Sequence, residues 1–269
     1  MFQFIRSWLR QRIIKRSTIT DAQWSDTFAV LPLLAGLTDE EKHELRELAI
    51  VFLHDKVFEG AHGFVVTQEM AMIIALQACL PILKLGLDGY DGWTAVIVYP
   101  AGFAPKRTVT DEYGVVHHVQ SSLAGESWDR GPVILAWDET EHAGVIDGHN
   151  LVIHEFVHKL DMTNGVANGY PRLHANMDPG EWVEAFSKGF EDFQHHCGRG
   201  KKMHIDCYGA SSPAEFFAVL SEVFFERPAI LQQQYGAIYD LMRQYYRQDS
   251  LQRLPGVRAW RGEYEKTEE

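Results

Sequence analysis

Residues 154–158 read HEFVH, and this pentapeptide indicates both the fold class and the chemistry of the chain. On a helix, His154 and His158 lie four residues apart and project from the same face. Two imidazoles held in this way fit adjacent corners of a tetrahedral zinc site. Glu155 lies one position further along the helix and can act as general base toward an attacking water. The pentapeptide therefore predicts a zinc-dependent hydrolytic site.

Apolar residues flank the pentapeptide and predict that its helix is largely buried. Leu151–Ile153 precede it, and Phe156, Val157 and Leu160 continue the apolar pattern. Polar side chains on a buried helix require partners. A bound metal ion supplies such a partner, so this context favours a metal site over a chance match of exposed histidines.

Composition and charge limit the classes of protein to which the chain can belong. With 269 residues, of which 46% are hydrophobic, it can bury one large core or two closely joined lobes. The net charge of −12 disfavours direct binding of nucleic acid. Cys79, Cys197 and Cys207 are sparse, odd in number and not closely paired, which predicts reduced thiols and a cytoplasmic location. The longest apolar stretch, Met70–Leu83, is too interrupted to span a bilayer.

The amino terminus is the basic part of an otherwise acidic chain. Residues 1–20 contain no acid and five basic residues: Arg6, Arg10, Arg12, Lys15 and Arg16. Charges interrupt each apolar run, which argues against a signal peptide. A terminal helix that lies on its own domain is favoured over contact of residues 1–20 with a membrane surface.

The order of the predicted elements is helices, a small sheet and further helices, which is an α+β arrangement. Helices are predicted at Asp39–His54 and Gln68–Leu80, from Pro179, from Pro213 and at Ala229–Tyr246. Strands are predicted at Trp93–Tyr99, Val115–Ser121 and Pro132–Trp137.

A catalytic zinc requires a third protein ligand, and Glu215 and Glu222 are the candidates. They lie seven residues apart in the apolar helix AEFFAVLSEVFFE, so they share one face about two turns apart. One of them can bind the metal while the other supports a histidine or the helix. Asp161 lies three residues after His158 and either accepts an imidazole N–H or bonds to the following loop.

Two segments of the chain resemble one known family. NLVIHEFVHKLDMTNG (150–165) together with YGASSPAEFFAVLSEVFFERP (208–228) resembles the Mlc titration factor A family of zinc-dependent peptidases. The resemblance covers most of residues 24–250, including LPLLAGLTDEEKHEL at 31–45. It implies an α+β fold with a zincin-like catalytic core similar to that of anthrax lethal factor. That core would hold a small mixed sheet, the HExxH helix and additional helices.

The resemblance also implies roles for individual residues. One Zn²⁺ ion per chain would be bound by His154, His158 and Glu215, with Glu155 as the catalytic base. Tyr208 lies seven residues before Glu215, where the family pattern has a catalytic tyrosine that can stabilise an oxyanion. The remaining acids predicted to support the metal ligands are Asp161 and Glu222.

The implied function is aminopeptidase-type hydrolysis of peptides. The alternative, also implied by the resemblance, is a regulatory protein that binds the glucose-responsive repressor Mlc and sequesters it from DNA, with peptidase activity secondary. We predict three parts of the chain: a basic segment 1–23, a peptidase domain 24–250 and a tail 251–269. Within the domain, the first part extends to about residue 147, the active-site helices occupy 148–228 and a C-terminal helix occupies 229–247.

Overall fold

Helices dominate the computed structural model, which describes residues 2–101, 106–110, 116–120, 131–141, 145–199 and 204–254. The helices are α1 (Phe2–Arg16), α2 (Asp21–Ala29), α3 (Asp39–Asp55), α4 (Gln68–Cys79), α5 (Trp137–Glu141), α6 (Leu151–Asp161), α7 (Pro179–Gly198), α8 (Pro213–Glu226), α9 (Pro228–Tyr246) and α10 (Ser250–Arg253). The strands are β1 (Val57–Gly60), β2 (Ala95–Tyr99), β3 (Lys106–Thr110), β4 (Val116–Gln120) and β5 (Val133–Ala136). This is an α+β fold in which helices outweigh the sheet.

Within the described residues, the strands form two separate sheets, whereas the family resemblance implies one small mixed sheet. In the first sheet, β1, β2 and β5 are parallel in the order β1-β2-β5, with Val96 opposite Phe58 and Val133. In the second, β3 and β4 are antiparallel. The predicted strand at 115–121 therefore exists but pairs with β3 instead of joining the main sheet. Strand β1 was missed because it has four residues, one of them Glu59, and follows α3 almost directly.

The helix starts follow the capping signals in the sequence. Thr38 and Glu41 form a capping box at the start of α3. Thr67 caps α4 by accepting a hydrogen bond from the Met70 N–H. Asp178 and Ser212 cap α7 and α8, each followed by proline at the first helical position. These side chains accept from otherwise unpaired backbone N–H groups, so the predicted starts of these helices are confirmed.

The HEFVH segment lies in α6, at the centre of the core. This helix packs against β5 on one side and α8 on another, and contacts α4 as well. Phe156 is completely buried, and its ring centroid lies 5.3–5.6 Å from those of Phe52, Tyr90 and Trp93. The expectation of a largely buried helix is confirmed, because only Leu151 and Glu155 of α6 keep partial exposure.

Helix α1 lies against the folded chain. It packs on α3. Arg6 and Arg10 both form ion pairs with Asp88, and Arg6 forms a second ion pair with Asp91. Among the described residues, none of the helices combines the length and apolar character that crossing a membrane requires. The tail predicted from residue 251 begins as part of α10, and residues 255–269 lie outside the described residues. The division of the chain at residues 23 and 250 stays a prediction.

The prediction of three reduced thiols is wrong for two of them. Cys197, near the end of α7, forms a disulfide with Cys207, and their Cα atoms lie 5.7 Å apart. The sequence did not indicate this pair because ten positions separate the two residues. Packing of α7 and of the 3₁₀ turn Cys207–Ala210 on each other and on α8 brings them together. Cys79 remains a free, buried thiol.

Candidate metal centre and cleft

The first turn of α6 fixes the two histidines of the HEFVH segment. Asn150 caps the helix by accepting the Ile153 N–H at 3.0 Å, which starts the regular turns that follow. His154 and His158 then lie one turn apart with ring centroids 4.9 Å from each other. Both are buried, at 7% and 5% exposure, so their imidazoles are largely removed from water.

Glu215 brings a carboxylate from α8 to the same point. It is the third residue of α8, where its backbone N–H donates to the Ser212 hydroxyl. Its side chain does not complete a capping box. Instead, Oε2 lies 2.9 Å from His154 Nε2 and 3.3 Å from His158 Nε2, and the two nitrogens are 3.2 Å apart.

These three atoms fit a tetrahedral metal ion. A tetrahedral ion with ligands at about 2.0–2.1 Å separates neighbouring ligand atoms by about 3.3 Å, which is close to the three observed separations. The Nδ1 atom of His154 is 2.8 Å from the Glu222 carboxylate, so in the neutral imidazole Nδ1 carries the proton and Nε2 is left as an acceptor. Acceptor atoms that converge in this way require positive charge between them, which a metal ion or a proton can supply. His154, His158 and Glu215 are thus the group that could hold a metal ion.

The titration behaviour of the group reflects the same need for positive charge. Burial acts to lower the pKa of His154, but hydrogen bonds to Glu215 and Glu222 outweigh it and raise that pKa well above its ordinary value. Burial acts to raise the pKa of Glu215, but the two imidazoles outweigh it and lower that pKa to about 2. The carboxylate is therefore ionised at neutral pH, which a metal ligand must be.

Glu222 lies behind the three convergent atoms rather than among them. One of its oxygens accepts from His154 Nδ1, and the other accepts from the Asn150 backbone N–H. It therefore joins α8 to the start of α6 and fixes the orientation of the His154 ring. Of the two glutamates weighed from the sequence, the structure brings Glu215 to the histidine pair and Glu222 to the outer side of one ring.

A cleft of about 520 Å³ opens beside this group. Of the three-residue group, His154 lines this cleft, and the other polar lining residues include Asp138, Glu139, Asp147, His149, Glu155 and Tyr208. Glu155 is half-buried, and this burial raises the pKa of its carboxyl group. Tyr208 is 39% exposed, and its ring centroid lies 5.9 Å from that of His154. The structure thus places the predicted base and the predicted tyrosine in one cleft.

Comparison with known proteins agrees with this geometry. The family of glucose-regulated metallo-peptidases M90 matches residues 5–247. The chain belongs to this M90 family. Mlc titration factor A of Serratia proteamaculans (strain 568) is 37% identical over 243 residues, which cover 89% of this chain and 92% of that protein. Mlc titration factor A of Yersinia pestis (strain Pestoides F) is 38% identical over 238 residues, or 87% of each chain. The resemblance inferred from the sequence is confirmed.

One buried acid of this M90 chain was missed by sequence reasoning. Glu226, at the end of α8, accepts from the Gly148 N–H and from the Asn150 side chain, both at 2.9 Å. The same Asn150 amide also donates to Gln77 at 2.9 Å. Burial raises the pKa of Glu226 to about 8. Its spacing was a usable signal, because positions 215, 222 and 226 fall on one helical face.

Asp161 supports a loop of the M90 domain rather than an imidazole. Its side chain is fully buried, and Oδ2 accepts the backbone N–H groups of Asn168 and Gly169, both at 2.7 Å. Of the two roles that the sequence leaves open for Asp161, these hydrogen bonds correspond to bonding with the following loop. They fix the loop that follows α6, and Trp182 donates to the Gly169 carbonyl from α7.

Proposed function

We propose that this chain is a zinc-dependent peptidase with a zincin-like core that acts on the amino-terminal residue of peptides. One observation carries the proposal: two imidazole nitrogens and a carboxylate oxygen converge on one point, and one of these residues, His154, lines an open cleft together with Glu155. Membership in a family of metallopeptidases supports it. In this proposal, one zinc ion per chain is bound by His154, His158 and Glu215.

The donor atoms favour zinc over other divalent ions. Two nitrogens and one oxygen near the corners of a tetrahedron suit zinc, whereas magnesium and calcium take six or more oxygen ligands. Bound zinc supplies Lewis acidity, which lowers the pKa of water to about 7 and polarises a carbonyl group. Glu222 would keep His154 in the tautomer whose Nε2 is available to bind the ion.

Two residues of the cleft carry the proton transfers and charge stabilisation in this proposal. Glu155 takes a proton from the attacking water and passes it to the leaving nitrogen of the peptide. Tyr208 donates its O–H to the negative charge that develops on the former carbonyl oxygen. They come from different elements, α6 and the turn before α8, and both line the cleft in which a substrate would bind.

The proposed substrate is an extended peptide with a free amino terminus. Within the described residues, β5 pairs with β2 on one side only, so its other edge can pair with a peptide backbone. Strand β5 runs directly into α5, whose Asp138 and Glu139 line the cleft. These carboxylates and that of Asp147 favour a protonated amine through charge attraction.

The test compares free and blocked substrates with and without metal. We expect the zinc-loaded protein to hydrolyse aminoacyl p-nitroanilides, to lose this activity after chelation and to regain it when zinc is restored. An N-acetylated substrate is the matched control and should react at least about tenfold more slowly, a difference of about 1.4 kcal/mol from the lost charge attraction. Activity that survives chelation would contradict the metal requirement. Equal rates on both substrates would contradict the aminopeptidase type.

Binding of a repressor is a second candidate function. The observation that favours it is the name of the relatives, which describes them as titration factors for Mlc. In this proposal, the chain binds a glucose-responsive repressor of the Mlc type in the cytoplasm, and its peptidase activity is secondary. No direct contact with nucleic acid is required, which is consistent with the net charge of −12.

A pull-down separates the two functions. The immobilised chain should retain purified Mlc-type repressor at about 1 μM, an ordinary affinity for a specific complex. Retention should persist after chelation, since a binding surface does not require the hydrolytic site. Failure to retain the repressor at this concentration would remove the second function and leave the peptidase proposal intact.

A further inference from the structure

Cys207 forms a disulfide with Cys197 and immediately precedes Tyr208 in the chain. We propose that this disulfide is a reversible modification site, which undergoes thiol–disulfide exchange with dithiol reductants, and that its oxidised state holds Tyr208 in the cleft. The second half of the proposal rests on the proposed function, because it concerns the activity of Tyr208. The first half stands on the exposure and connectivity of the two cysteines.

Exposure makes one of the two sulfurs the point of attack. Cys207 is exposed, whereas Cys197 is half-buried and packs against the hydrophobic core. A thiolate in solution can therefore approach the Cys207 sulfur. The remaining thiol, Cys79, is completely buried, and burial raises its pKa. It is thus protected from the exchange.

The exchange is a balanced two-electron reduction. A thiolate of the dithiol attacks Cys207 Sγ, forms a mixed disulfide and expels Cys197 as a thiolate, which takes up a proton. The second thiol of the reductant loses its proton and attacks the other sulfur of the reductant, which is bonded to Cys207 in the mixed disulfide. Cys207 then leaves as a thiolate and is protonated. The cysteine pair gains two electrons and two protons, and the reductant becomes a disulfide.

Tyr208 is held differently on its two sides. After it, Gly209 packs so closely that a Cβ there would lie 3.3 Å from Phe193 and from Val219, and Ser211 donates to the Tyr208 carbonyl. Before it, the disulfide links the neighbouring residue, Cys207, covalently to α7. The Tyr208 N–H also donates a hydrogen bond to the Asp206 carboxylate, and Asp206 is exposed.

Reduction should therefore loosen this turn without unfolding the protein. Gly209 and the buried Ile205 still hold the segment on either side. What is lost is the covalent restraint on the residue next to Tyr208, whose ring lies 5.9 Å from that of His154. Small displacements of a catalytic group lower the rate strongly, because its contribution depends on position. The metal ligands lie on α6 and α8 and are not attached to the disulfide.

The experiment compares oxidised and reduced forms of the wild type and of Tyr208→Phe. Each protein is reduced with dithiothreitol and desalted without oxygen, so that the dithiol does not bind zinc during the assay. Alkylation under denaturing conditions followed by mass spectrometry should count one thiol in the oxidised form and three in the reduced form. We expect kcat of the wild type to fall about tenfold on reduction, part of the about 10²–10³-fold that one oxyanion donor contributes.

The variant tells positioning apart from general loosening. In Tyr208→Phe, reduction should change kcat less than about twofold, because the phenol on which the disulfide acts is already gone. KM and zinc content should be the same in both redox states. A Cys197→Ser/Cys207→Ser protein should match the reduced wild type without reductant. Cys79→Ala is the control and should keep the full redox response.

A second readout does not depend on hydrolysis. In metal-free protein labelled with 3-fluorotyrosine, the resonance absent from Tyr208→Phe should shift on reduction. A fully reduced wild type with unchanged kcat and an unchanged resonance would overturn the proposal, as would an equal fall of kcat in Tyr208→Phe. A disulfide that resists dithiothreitol would overturn it as well. If neither form hydrolyses peptides, the proposed function fails, and the thiol count and the resonance still decide this inference.

Discussion

Replacing Glu215 with alanine should lower the affinity of the protein for zinc by more than about a hundredfold. Within the part of the chain that the structure describes, its Oε2 atom is the carboxylate oxygen that faces both His154 Nε2 and His158 Nε2. Without it, two imidazoles remain, and structural or catalytic zinc sites require at least three protein ligands. The substitution keeps the helix start, because the hydrogen bond to Ser212 comes from the backbone N–H of residue 215. Zinc content after dialysis and competition with a chromogenic chelator would measure the loss.

Glu222→Ala is the matched control for this prediction. Glu222 occupies the same helix face and contacts the same His154, but through Nδ1 on the outer side of the ring. Loss of such a supporting partner costs about 10–100-fold in metal affinity, so the effect should be smaller than that of Glu215→Ala. If Glu215→Ala kept full zinc occupancy while Glu222→Ala lost it, the ligand assignment would be wrong.

The sequence predicts the parts of the site that depend on helical spacing. His154 and His158 share a face because they are four residues apart, and Glu215 and Glu222 share a face because they are seven apart. Capping signals at Thr38, Thr67 and Ser212 identified helix starts that the structure confirms. These features are local, so the residues near them in sequence determine them.

Features that depend on tertiary packing could not be predicted from the sequence. Spacing alone left open which of two glutamates faces the histidines. The packing of α6 against α8 brings Glu215, and not Glu222, to both Nε2 atoms. The link of Cys197 to Cys207 arises because α7 packs against the turn that begins ten residues after Cys197. Strand β1 is stabilised by its pairing with β2, so its four residues carry little signal of their own.

Glu155→Gln should abolish most of the hydrolysis while leaving zinc bound. Glutamine has the shape of glutamate, so α6 and its buried neighbours are undisturbed. It cannot accept a proton at neutral pH, and a positioned general base contributes about 10²–10⁴-fold to the rate. Burial raises the pKa of Glu155, which makes its carboxylate a stronger base than an exposed one. The expected decrease in kcat is therefore about 10²–10⁴-fold, or about 3–5 kcal/mol of lost transition-state stabilisation.

Zinc content and kcat measured on the same sample separate the base from the ligands. Glu155→Gln should show wild-type zinc content, in contrast to Glu215→Ala, although both lose hydrolysis. Glu184→Gln makes the same chemical change on the exposed face of α7 and should keep wild-type kcat. A fully active Glu155→Gln protein would exclude Glu155 as the base. Glu155 lies between His154 and His158 in the sequence of α6. If Glu155→Gln lost zinc as well as hydrolysis, Glu155 would instead help to hold the ion.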